Sequence, residues 1–190
     1  MDSPKLTNWI DLEKIDKSYD YWNNEEIEKK KIFYLKKDVD NFSKLSKNKH
    51  MQELSYELNQ VIKINKIDLD KKKIFALGCG TSWVESKVLS QFNFDNLRLL
   101  DFSKHRIFSL APETVKLNIN NLSKVEFIHG NMYDLKINDN SVDCFILVQA
   151  FHHADNPIYL LDSIKNKLKK NGIVIISGEP NFGFFSSLKH

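Results

Sequence analysis

Short runs of apolar residues, each of the length of a strand, recur along the second half of the chain. They cover residues 73–77, 97–101, 125–129, 142–148 and 173–177, and they are rich in Ile, Val, Leu and Phe. Runs that are apolar throughout are typical of parallel strands that are buried on both faces of a sheet. The pattern therefore predicts five strands of one parallel sheet.

Helical stretches lie between these runs, at about residues 83–91, 103–120 and 157–169. Pro112 should stop or kink the middle helix, because proline has no backbone N–H and its ring clashes with the preceding turn. Strands that alternate with helices predict an α/β fold with right-handed crossovers. We expect a doubly wound, mostly parallel sheet that helices cover on both faces.

The last of these helices carries start and stop signals. Asn156 is a good N-cap, Pro157 suits the first helical position, and Asn171-Gly172 predicts a left-handed stop.

The first 70 residues have a different, helical pattern. Asn24 can cap a helix with glutamates in its first turn and with Lys36 and Lys37 in its last. A second helix is predicted from about His50 to Asn65, since it has one apolar face, formed by Met51, Leu54, Leu58, Val61 and Ile62. We expect a helical extension or lid over residues 1–70 and a ligand-binding α/β domain over residues 71–190.

Composition and charge exclude several classes of protein. The 190 residues carry a net charge of +3 with lysines and acids interleaved, which indicates a solvated surface and no nucleic-acid groove. The apolar runs are too short to span a membrane, and residues 1–17 have no apolar signal-peptide core. Cys79 and Cys144 lack the spacing of metal ligands, so we expect no metal site and a reduced, cytoplasmic chain.

The strongest local signal is a glycine turn after the first predicted strand. Gly78-Cys79-Gly80 follows an apolar run, and Ser82 and Glu85 have the spacing of a helix capping box. A dinucleotide fingerprint needs a further glycine where Trp83 stands, which weighs against a nicotinamide or flavin enzyme. A turn of this kind predicts a ligand site, although a simple tight turn between strand and helix would also explain it.

Two further strand ends carry residues suited to an adenosyl group. Asp101 ends the second strand and can accept hydrogen bonds from both ribose hydroxyls, or it can instead cap the following helix. Asn131 follows the third strand and can bind the edge of an adenine, with Met132 and Phe102 as apolar walls.

Taken in order, the motifs LGCGTS, LLDFS, HGNM, SVDCFILVQAFHH and LKKNGIVIISGEP resemble the class I S-adenosylmethionine-dependent methyltransferases over about residues 70–180. The small-molecule group that includes the ubiquinone and menaquinone enzymes is the most similar. The resemblance implies S-adenosyl-L-methionine as the cofactor, lying across Gly78, Cys79 and Gly80, with its ribose on Asp101. It also implies that Phe102, Asn131 and Met132 contact the adenine. Val148 and Gln149 would lie near the sulfonium and the methionine end.

The chain departs from the family in several places. The family usually has an acid where Ala76 stands, to help hold the methionine amine; Ser82 replaces the third loop glycine, and Asn131 replaces a common aspartate. The family also adds two strands after the fifth, so the fifth strand is expected at an open edge of the sheet. A homodimer, a partner chain, a truncated chain or a minimal fold would each account for that edge.

Three residues after the fourth and fifth strands are candidates for acid–base chemistry: His152, His153 and Glu179. Each can equally be a structural residue, and Glu179 can cap a following helix. Tyr19, Tyr21 and Trp22 are candidates for lining a lid. Val148-Gln149-Ala150-Phe151 stands where amino-directed enzymes have Asn/Asp-Pro-Pro-aromatic, which weighs against an adenine or glutamine nitrogen as acceptor.

The resemblance therefore implies methyl transfer to an oxygen, nitrogen or carbon of a small molecule. The alternative is a catalytically weak or inactive methyltransferase-like binding module, or a fragment of a larger enzyme.

Overall fold

A six-stranded sheet forms the centre of the molecule. The computed structural model describes residues 4–11, 13, 17–24 and 46–180. The strands lie in the order β1-β4-β3-β2-β5-β6, and each pairs in parallel with its neighbours. In chain order they are β1 Lys5–Asn8, β2 Lys73–Leu77, β3 Asn96–Asp101, β4 Val125–His129, β5 Val142–Val148 and β6 Leu168–Ser177. The predicted doubly wound α/β fold is confirmed.

Five α-helices are described with this sheet: α1 Lys17–Asn23, α2 Lys49–Ile64, α3 Trp83–Leu89, α4 Ala111–Lys116 and α5 Pro157–Lys167. A π-helical turn, Arg106–Leu110, runs directly into α4, and Pro112 lies in the first turn of α4. The expected break in the middle helix is therefore a change of helix type. Short 3₁₀ turns occupy Leu122–Lys124 and Phe151–His153.

The central strands are buried on both faces because alternate side chains join two separate cores. Ile74 and Ala76 of β2 pack into the core beneath α2, α3 and α4. Phe75 and Leu77 point to the opposite core, where Phe75 stacks on Phe145 at a ring separation of 5.5 Å. This double burial is the reason for the continuous apolar runs in the sequence.

Strand β1 is a difference from the sequence-based prediction, which expected only helices over residues 1–70. Lys5–Asn8 pairs with Glu126–His129 of β4. Glu126 accepts a hydrogen bond from Thr7 at 2.7 Å and lies 2.8 Å from the ammonium of Lys5. Four residues with one apolar side chain give too weak a period for detection, so these side-chain contacts with β4 could not be foreseen.

Helix α2 confirms the second predicted helix, with Leu54, Leu58 and Ile62 buried. The helix predicted after Asn24 falls on residues 25–45, outside the described ranges.

The predicted stop at Asn171-Gly172 is wrong. Helix α5 starts as expected, since Asn156 Oδ1 accepts a hydrogen bond from the Tyr159 amide, but it ends at Lys167 and the chain enters β6 at once. Asn171 does have a left-handed backbone, with φ of 66°, yet it lies inside β6, opposite a register irregularity between Val142 and Cys144 of β5. The left-handed residue serves a bulge here and not a helix end.

Strand β6 lies at one end of the strand order, as the prediction of an open edge required. Within the described part of the chain, none of the helices is long and apolar enough to cross a membrane.

Candidate functional site

Two adjoining cavities open at the carboxyl ends of the central strands, where ligands bind in open α/β sheets. The wide cavity has a volume of about 410 Å³ and lies over the ends of β3, β4 and β5. The narrow cavity has a volume of about 140 Å³ and lies between the glycine turn and α2. Gly78, Gln149 and Arg106 line both cavities, so one elongated ligand could occupy the two together.

The glycine turn forms the wall between the cavities. Gly78 and Gly80 have φ values of +65° and +54°, a left-handed conformation that favours glycine. A Cβ on Gly78 would lie 2.7 Å from the Cβ of Ala150, so the turn also packs tightly against the loop that follows β5. The predicted ligand turn is therefore fixed by its backbone conformation and by its packing against this loop.

The predicted capping box at Ser82 and Glu85 is wrong. Ser82 itself has a left-handed backbone, with φ of 59°, and makes no side-chain cap. Its hydroxyl instead donates to Cys79 Sγ at 3.2 Å. Glu85 is buried, with 3% of its surface exposed, and it is one of the residues that line the narrow cavity.

Cys79 anchors the turn to β3. Its backbone amide donates to Leu100 O at 3.2 Å, and its thiol lies 3.4 Å from the same oxygen. Burial, with the nearby charges of Glu85 and Asp101, raises the pKa of the Cys79 thiol well above its usual value. The thiol stays protonated at neutral pH, which indicates a structural residue and not a nucleophile.

Asp101 lies at the junction of β3 and the wide cavity. Its carboxylate accepts one hydrogen bond from the Gly80 amide at 2.7 Å and another from the Ser103 amide at 2.8 Å. Only 7% of the residue is exposed. These two amides fix the position of the carboxylate at the edge of the cavity.

The adenine candidates also line the wide cavity: Phe102, Asn131 and Met132. Asn131 Oδ1 accepts a hydrogen bond from the Tyr133 amide at 3.0 Å, so the side chain is held by an Asx turn. Gly130 donates its amide to Asp101 O at 3.1 Å, which ties the end of β4 to the end of β3.

Val148 and Gln149, at the end of β5, differ in the cavities that they line. Val148 lines the narrow cavity only. Gln149 has φ of 49° and donates its backbone amide to Ser177 O at 3.0 Å. Its Oε1 lies 2.9 Å from His50 Nε2 of α2, so it is tied to the helix that covers the narrow cavity.

His152 and His153 lie together in the wall of the wide cavity, with ring centroids 4.0 Å apart. Glu179, beyond β6, lies behind them: it accepts hydrogen bonds from the backbone amides of Ala150, Phe151 and His152, and its Oε2 is 2.7 Å from His152 Nδ1. Burial alone would raise the pKa of Glu179, but the hydrogen bonds from His152 and the backbone lower it below its usual value. Glu179 is therefore a carboxylate at neutral pH.

The pKa of His153 is also lowered, but here burial is the main cause. Burial lowers it, and the neighbouring His152 lowers it further, so His153 is neutral at neutral pH. Its ring meets Trp22 edge to face at a centroid distance of 5.2 Å.

Helix α1 closes the outer side of the wide cavity with Ser18 and Trp22. Asn23 fastens this helix to the end of β3, because its Nδ2 donates to Phe102 O at 3.0 Å and its Oδ1 accepts from the Lys104 amide at 2.9 Å. Of the other lid candidates, Tyr19 packs against Phe102, and Tyr21 is 42% exposed. The sequence-based list thus included Trp22 correctly as a lining residue, but not Ser18.

Sequence reasoning also missed Glu85 and Arg106. Glu85 was assigned to a helix cap, whereas Arg106 lies in a π-helical turn that helical periodicity does not reveal. Within residues 4–11, 13, 17–24 and 46–180, no group of three potential metal ligands is gathered in one place.

Comparison with known protein families identifies the kind of domain. A family model described as a methyltransferase domain matches residues 75–176, which is more than half of the chain. The fold and this match define a class I, S-adenosylmethionine-dependent methyltransferase domain. The chain belongs to the methyltransferase domain family.

Two curated relatives are similar in sequence. A malonyl-[acyl-carrier protein] O-methyltransferase from Halalkalibacterium halodurans is 24% identical over 134 residues, covering 67% of this chain and 48% of the relative. A ubiquinone biosynthesis O-methyltransferase from Rickettsia typhi is 26% identical over 154 residues, covering 75% of this chain and 60% of the relative. The chain thus spans about half to three-fifths of the length of these relatives.

The solved structure of an S-adenosylmethionine-dependent methyltransferase from Aquifex aeolicus matches with a TM-score of 0.52 at 20% identity, covering 70% of this chain and 69% of that one. At this identity the match shows the fold.

Proposed function

We propose that this chain transfers a methyl group from S-adenosylmethionine to a hydroxyl oxygen of a small molecule, with His152 as the base that accepts the hydroxyl proton. The observation that carries the proposal is the 2.7 Å contact between His152 Nδ1 and Glu179 Oε2, in the wall of the cavity that Asp101, Phe102 and Asn131 also line. Both curated relatives are named as O-methyltransferases, which supports oxygen as the acceptor atom.

The residues present fit the cofactor. Asp101 offers a fixed carboxylate to a ribose, Asn131 and the backbone near Met132 offer polar groups to an adenine edge, and Gly80 leaves open space where a Cβ would stand. Gly78, Cys79 and Gln149 would border the methionine end. When bound, S-adenosylmethionine supplies an activated methyl group on its sulfonium, so the protein has only to align the acceptor and manage one proton.

The hydrogen bond to Glu179 sets the tautomer of His152. A carboxylate can only accept, so Nδ1 of His152 carries the hydrogen and donates it. Nε2 of the neutral ring is then the lone-pair nitrogen. A hydroxyl that donates to Nε2 becomes more nucleophilic, and the resulting imidazolium is stabilised by the Glu179 carboxylate.

Glu179 acts as a positioning residue in this proposal. It holds three consecutive backbone amides of the loop after β5 as well as the His152 ring, so the loop and the base move together. His153 and Trp22 form the rest of the wall; both present ring faces or edges that exclude water from the acceptor. His153 is assigned this role because burial and the neighbouring His152 lower its pKa, which makes it a weaker base than an ordinary imidazole.

Methylation of a panel of small phenols and aliphatic alcohols, with methyl-labelled cofactor, tests the proposal. We expect labelled ether products, and His152→Gln should lower kcat by roughly 10²- to 10⁴-fold while leaving the affinity for S-adenosylhomocysteine unchanged. His153→Gln is the matched control and should cost less than about tenfold. Cofactor binding without any labelled ether, or equal rates for His152→Gln and the parent, would contradict the proposal.

The two cysteines are free thiols, both buried. Burial raises the pKa of Cys144 to about 12, and the nearby charge of Asp143 adds to this shift. We propose a reducing, cytoplasmic setting, in which such thiols persist.

A further inference from the structure

Glu85 is a buried carboxyl group that the proposed transfer does not use. It is the third residue of α3, and 3% of its surface is exposed. A buried acid normally has a cation or several donors as partners. Here the carboxyl group accepts a hydrogen bond from its own backbone amide, and no lysine, arginine or histidine is paired with it in the described ranges.

The position of Glu85 faces a ligand space. It lines the narrow cavity together with Gly80, Thr81 and Arg106. Glu85 is the one acidic residue among the described residues that line this cavity, so it suits a ligand group that carries a positive charge.

The narrow cavity continues the wide one at Gly78, Gln149 and Arg106. A ligand whose adenosyl part lies on Asp101 and Asn131 therefore extends past the glycine turn toward Glu85. The alternative acidic position is closed, because Ala76 of β2 is fully buried between Leu99 and Ile146 in the paired strands.

We propose that the Glu85 carboxylate binds the α-ammonium of the methionine end of S-adenosylmethionine in the narrow cavity. This inference rests on the proposed function, since it requires the adenosyl group in the wide cavity. The ammonium supplies the cationic partner that Glu85 lacks among its described neighbours.

Burial, together with the charge of Asp101 and despite the hydrogen bond from its own amide, raises the pKa of Glu85 to about 8. The titratable groups that interact with it are the Cys79 thiol and the Asp101 carboxylate; Arg106 also lines the cavity, with its guanidinium over the Trp22 ring. Glu85 is therefore mostly protonated at pH 7 in the free protein and must lose its proton to pair with an ammonium. Ligand binding at pH 7 should release about one proton.

Calorimetric titration with S-adenosylhomocysteine, in buffers of different ionisation enthalpy, tests the inference. The parent protein should release about one proton per ligand at pH 7. Glu85→Gln should release none and should bind roughly 10- to 100-fold more weakly. Both proteins should bind 5′-methylthioadenosine, which lacks the amino-acid part, with equal affinity. Glu57→Gln, an exposed glutamate on α2, is the matched control and should behave like the parent.

Two results would overturn the inference, and a third would overturn the proposed function as well. Unchanged proton release and affinity in Glu85→Gln would overturn the inference, and so would an equal loss of affinity for both ligands, which would indicate a structural role. If neither ligand binds the parent protein, the proposed function fails together with the inference. Folding is checked separately by thermal unfolding at pH 7, where glutamine should be tolerated because it is isosteric with the protonated acid.

Discussion

The carboxylate of Asp101 accepts a 2.7 Å hydrogen bond from the backbone amide of Gly80, so the end of β3 and the glycine turn after β2 are joined directly. A second hydrogen bond, from the Ser103 amide, completes the arrangement. One buried acid therefore links the two halves of the proposed cofactor site before any ligand is present.

Replacing Asp101 with Ala should weaken binding of S-adenosylhomocysteine by at least tenfold, because the ribose loses its acceptor and the turn loses its link to β3. The two amides left without a partner should also lower the free energy of unfolding by roughly 1–3 kcal/mol each. Calorimetric titration and urea unfolding measure these effects. Equal ligand affinity in Asp101→Ala and the parent would argue against a ribose at this position.

Gly78→Ala should be more harmful than Gly80→Ala. Both positions have a left-handed backbone, which costs a residue with a Cβ about 1–2 kcal/mol. At Gly78 the new Cβ would also lie 2.7 Å from the Cβ of Ala150, whereas at Gly80 it would meet no atom within 4 Å. We expect a loss of roughly 2–4 kcal/mol for Gly78→Ala and about 1–2 kcal/mol for Gly80→Ala in urea unfolding. A larger loss for Gly80→Ala than for Gly78→Ala would show that Ala150 moves easily to accommodate the new Cβ.

Because of His129, the free energy of unfolding should decrease in mildly acidic solution. The ring is 1% exposed, its Nε2 lies 3.2 Å from Phe102 O, and its Nδ1 has no hydrogen-bond partner in the described chain. Burial lowers the pKa of His129 to about 4, and the charge of Lys104 contributes to the same direction.

The unfolded chain therefore takes up a proton at His129 below pH 6.5, while the folded chain does so only near pH 4. Stability from this residue is complete above pH 6.5 and should decrease by about 1.4 kcal/mol per pH unit between these values. Urea unfolding from pH 7 to pH 4.5 measures the slope, and His129→Gln should flatten it by about that amount. Parallel slopes for the two proteins would contradict the assigned neutral state.

Asn23 should control how α1 covers the wide cavity. Asn23→Ala removes the hydrogen bonds to Phe102 O and to the Lys104 amide. We expect faster hydrogen exchange at Lys104 and a higher KM for the acceptor, because the wall that contains Trp22 is less firmly docked. Asn23→Asp keeps an oxygen acceptor and should preserve the protection of Lys104, which separates this hydrogen bond from a general loss of the helix.

The sheet could be predicted from the sequence wherever strands are buried on both faces. In β2, both Ile74 and Phe75 are apolar because each meets a different core. Strand β1 follows no such rule, since its stability depends on the contacts of Lys5 and Thr7 with Glu126. Contacts between distant parts of the chain leave no local periodicity.

Part of the candidate site could be predicted because its residues follow the predicted strands. Gly78, Asp101 and Asn131 stand at strand ends, and the topology brings strand ends together. Ser82 and Glu85 have a capping-box spacing, but the left-handed backbone of Ser82 directs its hydroxyl to Cys79 and leaves Glu85 at the cavity. A spacing rule assumes ordinary backbone angles and fails where the turn departs from them.

The pairing of β1 with β4 has a consequence for how the chain folds during synthesis. Thr7 and Glu126 are 119 positions apart, so β1 can pair only after the much later β4 has been synthesised. Closing so long a loop is slow, and until it closes the edge of β4 that β1 covers stays available to other chains. Strand β1 should therefore protect the edge of β4 from aggregation only late in folding, and deleting it should lower the yield of folded protein.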